Sequence, residues 1–242
     1  MKKEKIVRAT FDNNASIYEQ KTFKETIGLR YLGWIERSFI SSEIPSYIKT
    51  VLDVGTGTGR NIEIIIRRCA FVYGVDISRG MLTMAKRRKI QNSFFVIADA
   101  KHLPFPSEIF DCVVCIRVLK YIPEWRKTIK EISRVLKPKG KLILTFPNIL
   151  SVQFISSLRE LYSTFRPWEV VSTLIGCGFV IMKIRPETIL PFPLYKRIRD
   201  KTFLRIIIEL ERVFQAVIPK YLLSRTILIS CIKCGKLSVP TF

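Results

Sequence analysis

The chain has 242 residues, of which 41 are Lys or Arg and 20 are Asp or Glu, so its formal net charge is +21. Hydrophobic residues make up 48% of the sequence, which excludes an intrinsically disordered or low-complexity chain, and the length is sufficient for one domain with a full core. A charge of this size is typical of a protein with an anionic partner (nucleic acid, a membrane surface or a substrate) or of a generally basic proteome.

The sequence contains no segment that predicts a membrane span or a secretory signal. Its longest uncharged stretch, from Leu142 to Leu158, has 17 residues and is interrupted by Pro147, whereas a spanning helix needs roughly 20 apolar residues. The charged N-terminus is not followed by the apolar core of a signal peptide. We therefore expect a cytoplasmic protein.

From residue 50 onward, short β-rich segments alternate with helical ones, which is typical of a parallel α/β sheet. Seven strands are predicted, at Thr50–Val54, Phe71–Val75, Phe94–Ile97, Phe110–Ile116, Lys141–Phe146, Phe179–Ile184 and Thr226–Lys233. Helices are predicted between them at Arg60–Arg68, Gly80–Lys89, Trp125–Leu136 and about Ser151–Ile175. The last of these helices is expected to break near Pro167.

Two helical regions lie outside this alternation. Residues 1–49 precede the first strand, and residues 186–223 separate the sixth strand from the seventh. In the second region we predict one helix from Leu194 to Ile218, in which apolar residues recur at helical spacing among basic ones: Tyr195, Ile198, Phe203, Ile206, Leu210, Val213 and Val217. This stripe either packs against the sheet or contacts an anionic membrane surface.

Six cysteines include two pairs with the C-x-x-C spacing of metal and redox sites, Cys112 with Cys115 and Cys231 with Cys234. Both pairs lie in β-branched apolar runs, DCVVCI and ILISCIKCG, and in a strand residues three apart point to opposite faces of the sheet. We therefore expect reduced, structural thiols and no metal site.

A glycine-rich turn, LDVGTGTGR (52–60), follows the first predicted strand. Glycines at a strand-to-helix turn let a ligand approach the backbone at the helix N-terminus. The spacing is G-x-G-x-G rather than the G-x-G-x-x-G of dinucleotide-binding sites, and Asp53 places a carboxylate beside the glycines. Because a carboxylate repels a pyrophosphate but attracts an ammonium group, the turn suits a ligand such as S-adenosylmethionine.

Acids end the next two predicted strands. Asp76 lies 21 residues after Gly55, at the usual position for a carboxylate that binds ribose hydroxyls. Asp99 follows the third strand, where it could accept a hydrogen bond from an adenine amino group. The glycine turn and the two acids, at the ends of three successive strands, together indicate a ligand that contains a nucleoside.

These segments resemble the class I S-adenosylmethionine-dependent methyltransferases, and most closely the branch that methylates quinones, lipids and other small molecules. The resemblance rests on LDVGTGTGR (52–60), YGVDIS (73–78), ADAKHLPFP (98–106), FDCVVCIRVLKYIPE (110–124) and RVLKPKGKLILTFPN (134–148). It implies a Rossmann-like, doubly wound, mostly parallel seven-stranded sheet with an N-terminal helical lid and a helical insertion before the last strand. It also implies one methyltransferase domain over residues 1–242, with the lid at 1–49, a cofactor-binding core at 50–185, the insertion at 186–223 and the last strand and tail at 224–242.

By the same resemblance, the strand ends hold the cofactor S-adenosylmethionine. Asp53 and the glycines are expected to hold the methionine part, Asp76 the ribose, and Asp99 with its neighbour the adenine. Tyr18, in the lid, is expected to reach the methionine carboxylate. The full set expected to bind the cofactor is Asp53, Gly55, Thr56, Gly57, Gly59, Asp76, Ile77, Asp99, Ala100, Arg117 and Tyr18.

The expected reaction is an in-line displacement at the sulfonium methyl, for which positioning and exclusion of water supply most of the rate. A general base is needed only when the acceptor is a poorly acidic hydroxyl or a carbon acid. Two residues are weak candidates for that base: His102, which is explained more simply as a solvated loop residue, and Tyr121, which is explained more simply by packing. Lys120 and Tyr121 stand where many relatives carry a pair of histidines.

The identity of the acceptor is left open by the sequence. We expect a small or lipophilic acceptor, since the chain has neither the Asn/Asp-Pro-Pro-aromatic segment of base-amino methyltransferases nor a Pro-Cys nucleophile. For a lipophilic acceptor, we expect residues 194–218 to contact the membrane surface peripherally. The alternatives are an RNA or ribosomal-protein methyltransferase guided by the basic surface, and a relative that binds the cofactor without catalysis.

Overall fold

Seven strands form one sheet in the computed structural model, which describes residues 2–149, 151, 165–188, 190, 192–217 and 224–234. The strands are β1 (Ile48–Val54), β2 (Cys69–Asp76), β3 (Ser93–Ile97), β4 (Phe110–Cys115), β5 (Leu136–Pro147), β6 (Phe179–Pro186) and β7 (Thr226–Lys233). Their order across the sheet is β3-β2-β1-β4-β5-β7-β6, and neighbours are parallel except where β7 pairs with β5 and β6. The predicted seven-stranded, mostly parallel sheet is thereby confirmed.

Helices precede the sheet and cover both of its faces. They are α1 (Lys2–Asn14), α2 (Ile27–Glu43), α3 (Ile62–Ile65), α4 (Arg79–Arg87), α5 (Trp125–Val135), α6 (Pro167–Gly176), α7 (Phe192–Arg197) and α8 (Lys201–Val217). Shorter turns are a π-helical turn at Gln20–Lys24 and 3-10 turns at Ile66–Arg68 and Leu119–Tyr121. No helix among the described residues combines the length and the apolar character that crossing a bilayer requires.

The central strands are apolar because helices cover them on two sides. Alternate residues of β4 point in opposite directions, so Val113 packs with α5 and α6 while Val114 packs with α2 and α3. The chain runs from β1 outward to β2 and β3, and then returns to β4 on the other side of β1. The connections after β1 and β4 therefore lead away from each other, and this divergence opens a cleft at the carboxyl edge of the sheet.

Two helix predictions need correction, and a third falls partly outside the described residues. The helix predicted over 194–218 is two helices, since the chain turns at Ile198, whose carbonyl accepts a hydrogen bond from the Gly28 amide of α2 at 3.2 Å. Asp200 then starts α8 by accepting from the Phe203 amide at 2.8 Å. The helix predicted from residue 151 begins at Pro167 in the described part, and residues 152–164 lie outside it. The helix predicted from Arg60 begins at Ile62.

The apolar stripe predicted for residues 194–218 is divided between two environments. Tyr195 and Ile198 are buried against α2 rather than against the sheet. The stripe on α8 instead faces solvent. The exposed fraction of the side chain is 45% for Phe203, 53% for Ile206, 43% for Leu210 and 61% for Val213. Packing on the sheet therefore does not explain the α8 stripe.

Glu43, at the end of α2, joins that helix to three strands. Its carboxylate accepts hydrogen bonds from Lys141 of β5 and Lys183 of β6, both at 2.9 Å, and from Ser230 of β7 at 2.8 Å. Burial alone would raise the pKa of Glu43, but these three donors outweigh it and lower the pKa to about 2. The ionised form therefore stabilises the fold, and its contribution is lost as the pH falls from about 4.5 towards 2.

We predict that Glu43→Gln lowers the free energy of unfolding at pH 7 by about 2 kcal/mol, because the charge-assisted bonds are lost. The difference between the variant and the unaltered protein should shrink below pH 4. Urea denaturation at several pH values measures both effects. Glu209→Gln is the matched control, since Glu209 pairs with Arg212 on the surface with both side chains at least 65% exposed. Equal losses for the two variants would contradict the role of Glu43.

Candidate functional site

A cleft of about 1060 Å³ lies at the carboxyl edge of the sheet, between the connections after β1, β2, β3 and β4 and the N-terminal helices. The predicted site residues that line it are Tyr18, Gly55, Thr56, Gly57, Asp76, Ile77, Asp99, Ala100, Arg117 and Tyr121. Three others, Asp53, Gly59 and His102, do not belong to the lining.

The glycine turn after β1 adopts a backbone that other residues rarely take. Gly55, Gly57 and Gly59 have φ angles of 67°, 57° and 75°. A Cβ on Gly55 would lie 2.1 Å from a methyl carbon of Val118, so this position has no room for a side chain. Gly57 has no such neighbour and leaves the backbone open towards the cleft.

Three of the amide donors of this turn are engaged within the protein and are not available to a phosphate. The Thr56 amide donates to the Val75 carbonyl at 2.9 Å, and the Gly57 amide donates to the Asp76 carboxylate at 2.9 Å. The Gly59 amide donates to the Thr56 carbonyl at 3.0 Å. The turn therefore fits a ligand part that needs close backbone approach but carries no phosphate.

Asp53 lies beneath the turn, where Thr56 Oγ1 donates to its carboxylate at 2.8 Å. Burial, together with the charges of Asp76 and Glu36, raises the pKa of Asp53 to about 7, against the opposing effects of Thr56 and Arg60. A cation over the turn would favour the ionised form of this carboxylate. Asp53 therefore lies beneath the turn, bonded to Thr56, rather than in the cleft wall.

Asp76 is fixed in the cleft wall at the end of β2. Its two oxygens accept from the amides of Gly57 and Ser78, each at 2.9 Å. Burial raises the pKa of Asp76, although these amide donors act in the opposite direction. Each oxygen has a further lone pair, so the carboxylate can also accept from two hydroxyls of a ligand.

The turn after β3 contains a residue that the sequence analysis did not single out. Lys101 lines the cleft and is only 8% exposed, and its ammonium lies 3.6 Å from Asp99 and 3.2 Å from Glu124. It also pairs with Glu4 of α1, a hydrogen bond that is the main cause of its raised pKa. His102, next in the chain, is exposed.

Arg117, after β4, adopts a strained backbone with a φ of 61°, and its amide donates to Thr145 Oγ1 at 2.8 Å. Its guanidinium pairs with buried Glu36 of α2 and, at 2.9 Å, with Glu187 after β6. Burial would raise the pKa of Glu36, but Arg117 and Arg60 outweigh it and lower that pKa. Arg117 therefore lines the cleft while its charge is shared with two carboxylates.

Three aromatic rings close the cleft on the side of the N-terminal segment. Phe11 packs edge-on against Tyr121 at 4.9 Å between ring centroids and against Tyr18 at 5.8 Å. Below them, the guanidinium of Arg60 lies 3.6 Å from the centroid of Phe23. Aromatic rings attract cations, as the contact of Arg60 with Phe23 shows, so an aromatic wall is compatible with a positively charged ligand.

Comparison with known proteins agrees with this geometry. A family model described as a methyltransferase domain matches residues 52–144. The ubiquinone/menaquinone biosynthesis C-methyltransferase UbiE of Rickettsia massiliae is 32% identical over 174 residues, which are 67% of this chain and 68% of the relative. The corresponding protein of Wigglesworthia glossinidia brevipalpis is 28% identical over 207 residues, 81% of each chain.

The chain belongs to the S-adenosylmethionine-dependent methyltransferases. A solved S-adenosylmethionine-dependent methyltransferase from Mesorhizobium loti has the same fold, with a TM-score of 0.62 and 15% identity over 84% of this chain and 98% of that one. The cofactor of the enzyme is S-adenosylmethionine. Within the described residues, no group of three His, Cys, Asp or Glu side chains could hold a metal ion.

Four acids bond the N-terminal segment of the methyltransferase to the residues around the cleft. We call them the acidic anchors: Glu4, Asp12, Glu19 and Glu36. Each anchor bonds to a different part of the carboxyl edge. Asp12 accepts from Ser78 and Gly80 at the start of α4, at 2.6 and 2.8 Å. Glu19 accepts from Thr58 at 2.5 Å and pairs with Arg88.

We predict that Glu19→Gln loosens residues 2–24, because the uncharged amide loses the ion pair with Arg88. Amide hydrogen exchange in this segment should become about tenfold faster. Mass-spectrometric hydrogen exchange measures the change, with Glu25→Gln as the control because Glu25 is exposed on the same segment. Unchanged exchange in Glu19→Gln would contradict the anchoring role.

Proposed function

We propose that this methyltransferase transfers the methyl group of S-adenosylmethionine to a lipophilic aromatic acceptor of the quinol class. The observation that carries the proposal is the similarity, over 81% of both chains, to a ubiquinone/menaquinone biosynthesis C-methyltransferase. RNA and ribosomal-protein acceptors are not favoured, since the relatives named above are described as methyltransferases of ubiquinone and menaquinone biosynthesis.

In this proposal the cofactor occupies the cleft. Asp76 accepts hydrogen bonds from both ribose hydroxyls, with Ile77 beside it, and Asp99 with Ala100 faces the adenine. The glycine turn accommodates the methionine part, whose ammonium group is attracted by the charge of Asp53. Tyr18 and Arg117, which line the same cleft, are near the methionine carboxylate and the acceptor.

When bound, the cofactor would supply a methyl group on a sulfonium, from which a neutral thioether departs as a good leaving group. The protein's contribution is then position and environment. The acidic anchors hold the N-terminal segment over the cleft and exclude water, while Phe11, Tyr18 and Tyr121 favour positive charge at the aromatic wall. These groups hold an acceptor in line with the methyl group.

A second groove, of about 660 Å³, supports a lipophilic acceptor. It lies on the other side of the aromatic wall, shares Val7, Phe11, Tyr18 and Tyr121 with the cleft, and is extended by Ile17. An acceptor whose hydrocarbon part lies in this groove would have its ring at the wall.

Membrane contact through α8 is the second part of the proposal. Its exposed apolar stripe is accompanied by Lys201, Arg205 and Arg212. Just before α8, Lys196, Arg197 and Arg199 line a common depression. An exposed apolar stripe beside basic side chains is typical of helices that lie on anionic bilayers, where quinols reside.

We predict that the enzyme sediments with vesicles of 30% phosphatidylglycerol in phosphatidylcholine at low salt, and much less with pure phosphatidylcholine. Replacing Phe203, Ile206 and Val213 together by Ser should weaken binding at least about tenfold, because the apolar contact area is lost. Ile175→Ser is the control, since Ile175 is an exposed apolar residue of α6. Failure of the unaltered protein to sediment with anionic vesicles would overturn membrane contact.

The proposed acceptor is tested with labelled S-adenosylmethionine. We expect label to enter a short-chain prenylated naphthohydroquinone and the lipid fraction of an extract, and to be absent from its RNA and protein fractions. Asp76→Ala should weaken cofactor binding, measured by calorimetry, by roughly 100-fold, because the ribose loses a charged acceptor. Asp200→Ala is the control, since Asp200 lies at the start of α8, outside the cleft. Label confined to RNA or protein would overturn the quinol proposal, and unchanged cofactor affinity in Asp76→Ala would overturn the assignment of Asp76.

A further inference from the structure

Lys101 is a charged side chain in the wall of the cleft, in the turn that follows β3. It is 8% exposed, and it lines the cleft together with Glu4 of α1 and with Asp99 of the same turn. A buried ammonium is tolerated only where carboxylates compensate its charge. The groups that Lys101 holds together are therefore those carboxylates.

Three carboxylates from three parts of the fold surround the Lys101 ammonium. It forms a hydrogen bond with Glu4 of α1, and it lies 3.2 Å from Glu124, which precedes α5, and 3.6 Å from Asp99. Without a positive charge between them, these like charges would repel one another. Lys101 therefore lets the start of α1 lie at the end of the cleft where Asp99 stands.

The backbone and the side chain of Lys101 act on different neighbours. The Lys101 amide donates to Oδ1 of Asp99 at 2.9 Å and so orients that carboxylate. The ammonium is 3.6 Å from Oδ2 of Asp99, which exceeds hydrogen-bond distance, and its hydrogen bonds go to Glu4 and Glu124 instead. Oδ2 of Asp99 therefore keeps the capacity to accept from an amino group of a ligand.

The first turns of α1 cover the same end of the cleft. Val7, one turn after Glu4, is 7% exposed and also lines the cleft. The next acidic anchor, Asp12, bonds to α4 and lies at the other end of α1. Glu4 is therefore the anchor that seats Val7 beside an adenine whose amino group reaches Asp99.

We propose that Lys101 is the positioning residue for the adenine end of the cofactor site. Its ammonium seats Glu4, and with it the start of α1, beside Asp99, so that the bound base is covered and water is excluded. This role rests on the placement of the adenine at Asp99 in the function proposed above. Lys101 acts on the cofactor through Glu4 and Asp99, and not on the acceptor.

The methionine end of the site is held by a different anchor, which makes the two ends separable. Glu19 accepts from Thr58 of the glycine turn at 2.5 Å and pairs with Arg88, whose Nε donates to the Thr58 carbonyl at 2.7 Å. Loss of Glu19 should therefore affect ligands that have the methionine part. Loss of Lys101 should affect every ligand that has the adenine.

The test compares two ligands that differ in the methionine part, S-adenosylhomocysteine and 5′-methylthioadenosine. The second lacks the amino and carboxylate groups of the first, and neither carries a sulfonium, so no turnover occurs. Calorimetry measures the dissociation constants. We expect Lys101→Met to weaken the binding of both ligands about tenfold, because the adenine that they share is no longer covered. Glu19→Gln should weaken only S-adenosylhomocysteine by about tenfold and leave 5′-methylthioadenosine within about twofold.

Two further variants show whether the charge of Lys101 and its bond to Glu4 carry the effect. Lys101→Arg keeps a positive charge among the three carboxylates and should restore the affinity for both ligands to within about threefold. Glu4→Gln should resemble Lys101→Met, and the double variant should bind no more weakly than Lys101→Met, because both changes break the same bond. Lys130→Met, at an exposed lysine of α5, is the control.

Thermal stability shows whether each variant is folded, and Glu4→Gln gives the same comparison where Lys101→Met fails to fold. Unchanged affinity for both ligands would overturn the proposal. A loss confined to S-adenosylhomocysteine would place the effect at the methionine end, and equal losses in Lys101→Met and Lys101→Arg would exclude a role of the charge; either result overturns it.

These measurements use no methyl acceptor, so failure of the quinol proposal would leave the role of Lys101 standing. Absence of S-adenosylhomocysteine binding by the unaltered protein would instead overturn the placement of the cofactor in the cleft, and the role of Lys101 with it.

Discussion

The buried carboxylate of Glu36 is the constraint on which the site depends. It lies between the guanidiniums of Arg60, after the glycine turn, and Arg117, after β4, so it holds α2 against the two strand ends that diverge to form the cleft. A buried carboxylate is tolerated only when it is paired, and two arginines left without it would be equally costly. The same cluster includes Glu187 after β6, which pairs with Arg117, a residue whose backbone has a positive φ of 61°.

The acids around the cleft and the basic residues beside α8, which contribute to the net charge of +21, lie in different parts of the molecule. Acids of the N-terminal segment bond to the carboxyl edge of the sheet, and Asp53, Asp76 and Asp99 stand at three strand ends of that edge. The basic residues of 196–212 instead accompany the exposed stripe of α8. Charge complementarity at the cleft is thus local, and the overall surplus says little about the ligand bound there.

Much of the fold and part of the site follow from local pattern. Buried strands are short apolar runs bounded by turn residues, and all seven predicted strands match observed ones to within five residues at each end. The end of a helix that is set by a distant partner is harder to predict. The break between α7 and α8 depends on the Gly28 amide of α2, which is remote in sequence. The acidic anchors escaped prediction for the same reason, because surface acids and acids bonded across the fold have no distinguishing local signal.

The sequence by itself determined which segments form the seven strands, where the glycine turn lies and which acids end the strands. These features depend on composition and on spacing along the chain. Only the tertiary structure decided what each charged group does. Asp53 lies beneath the turn rather than in the cleft, Arg117 is shared between Glu36 and Glu187, and burial with Arg117 and Arg225 lowers the pKa of Lys120. The physical reason is that the charge state and the reach of a side chain depend on burial and on neighbours brought from distant elements, which spacing along the chain does not encode.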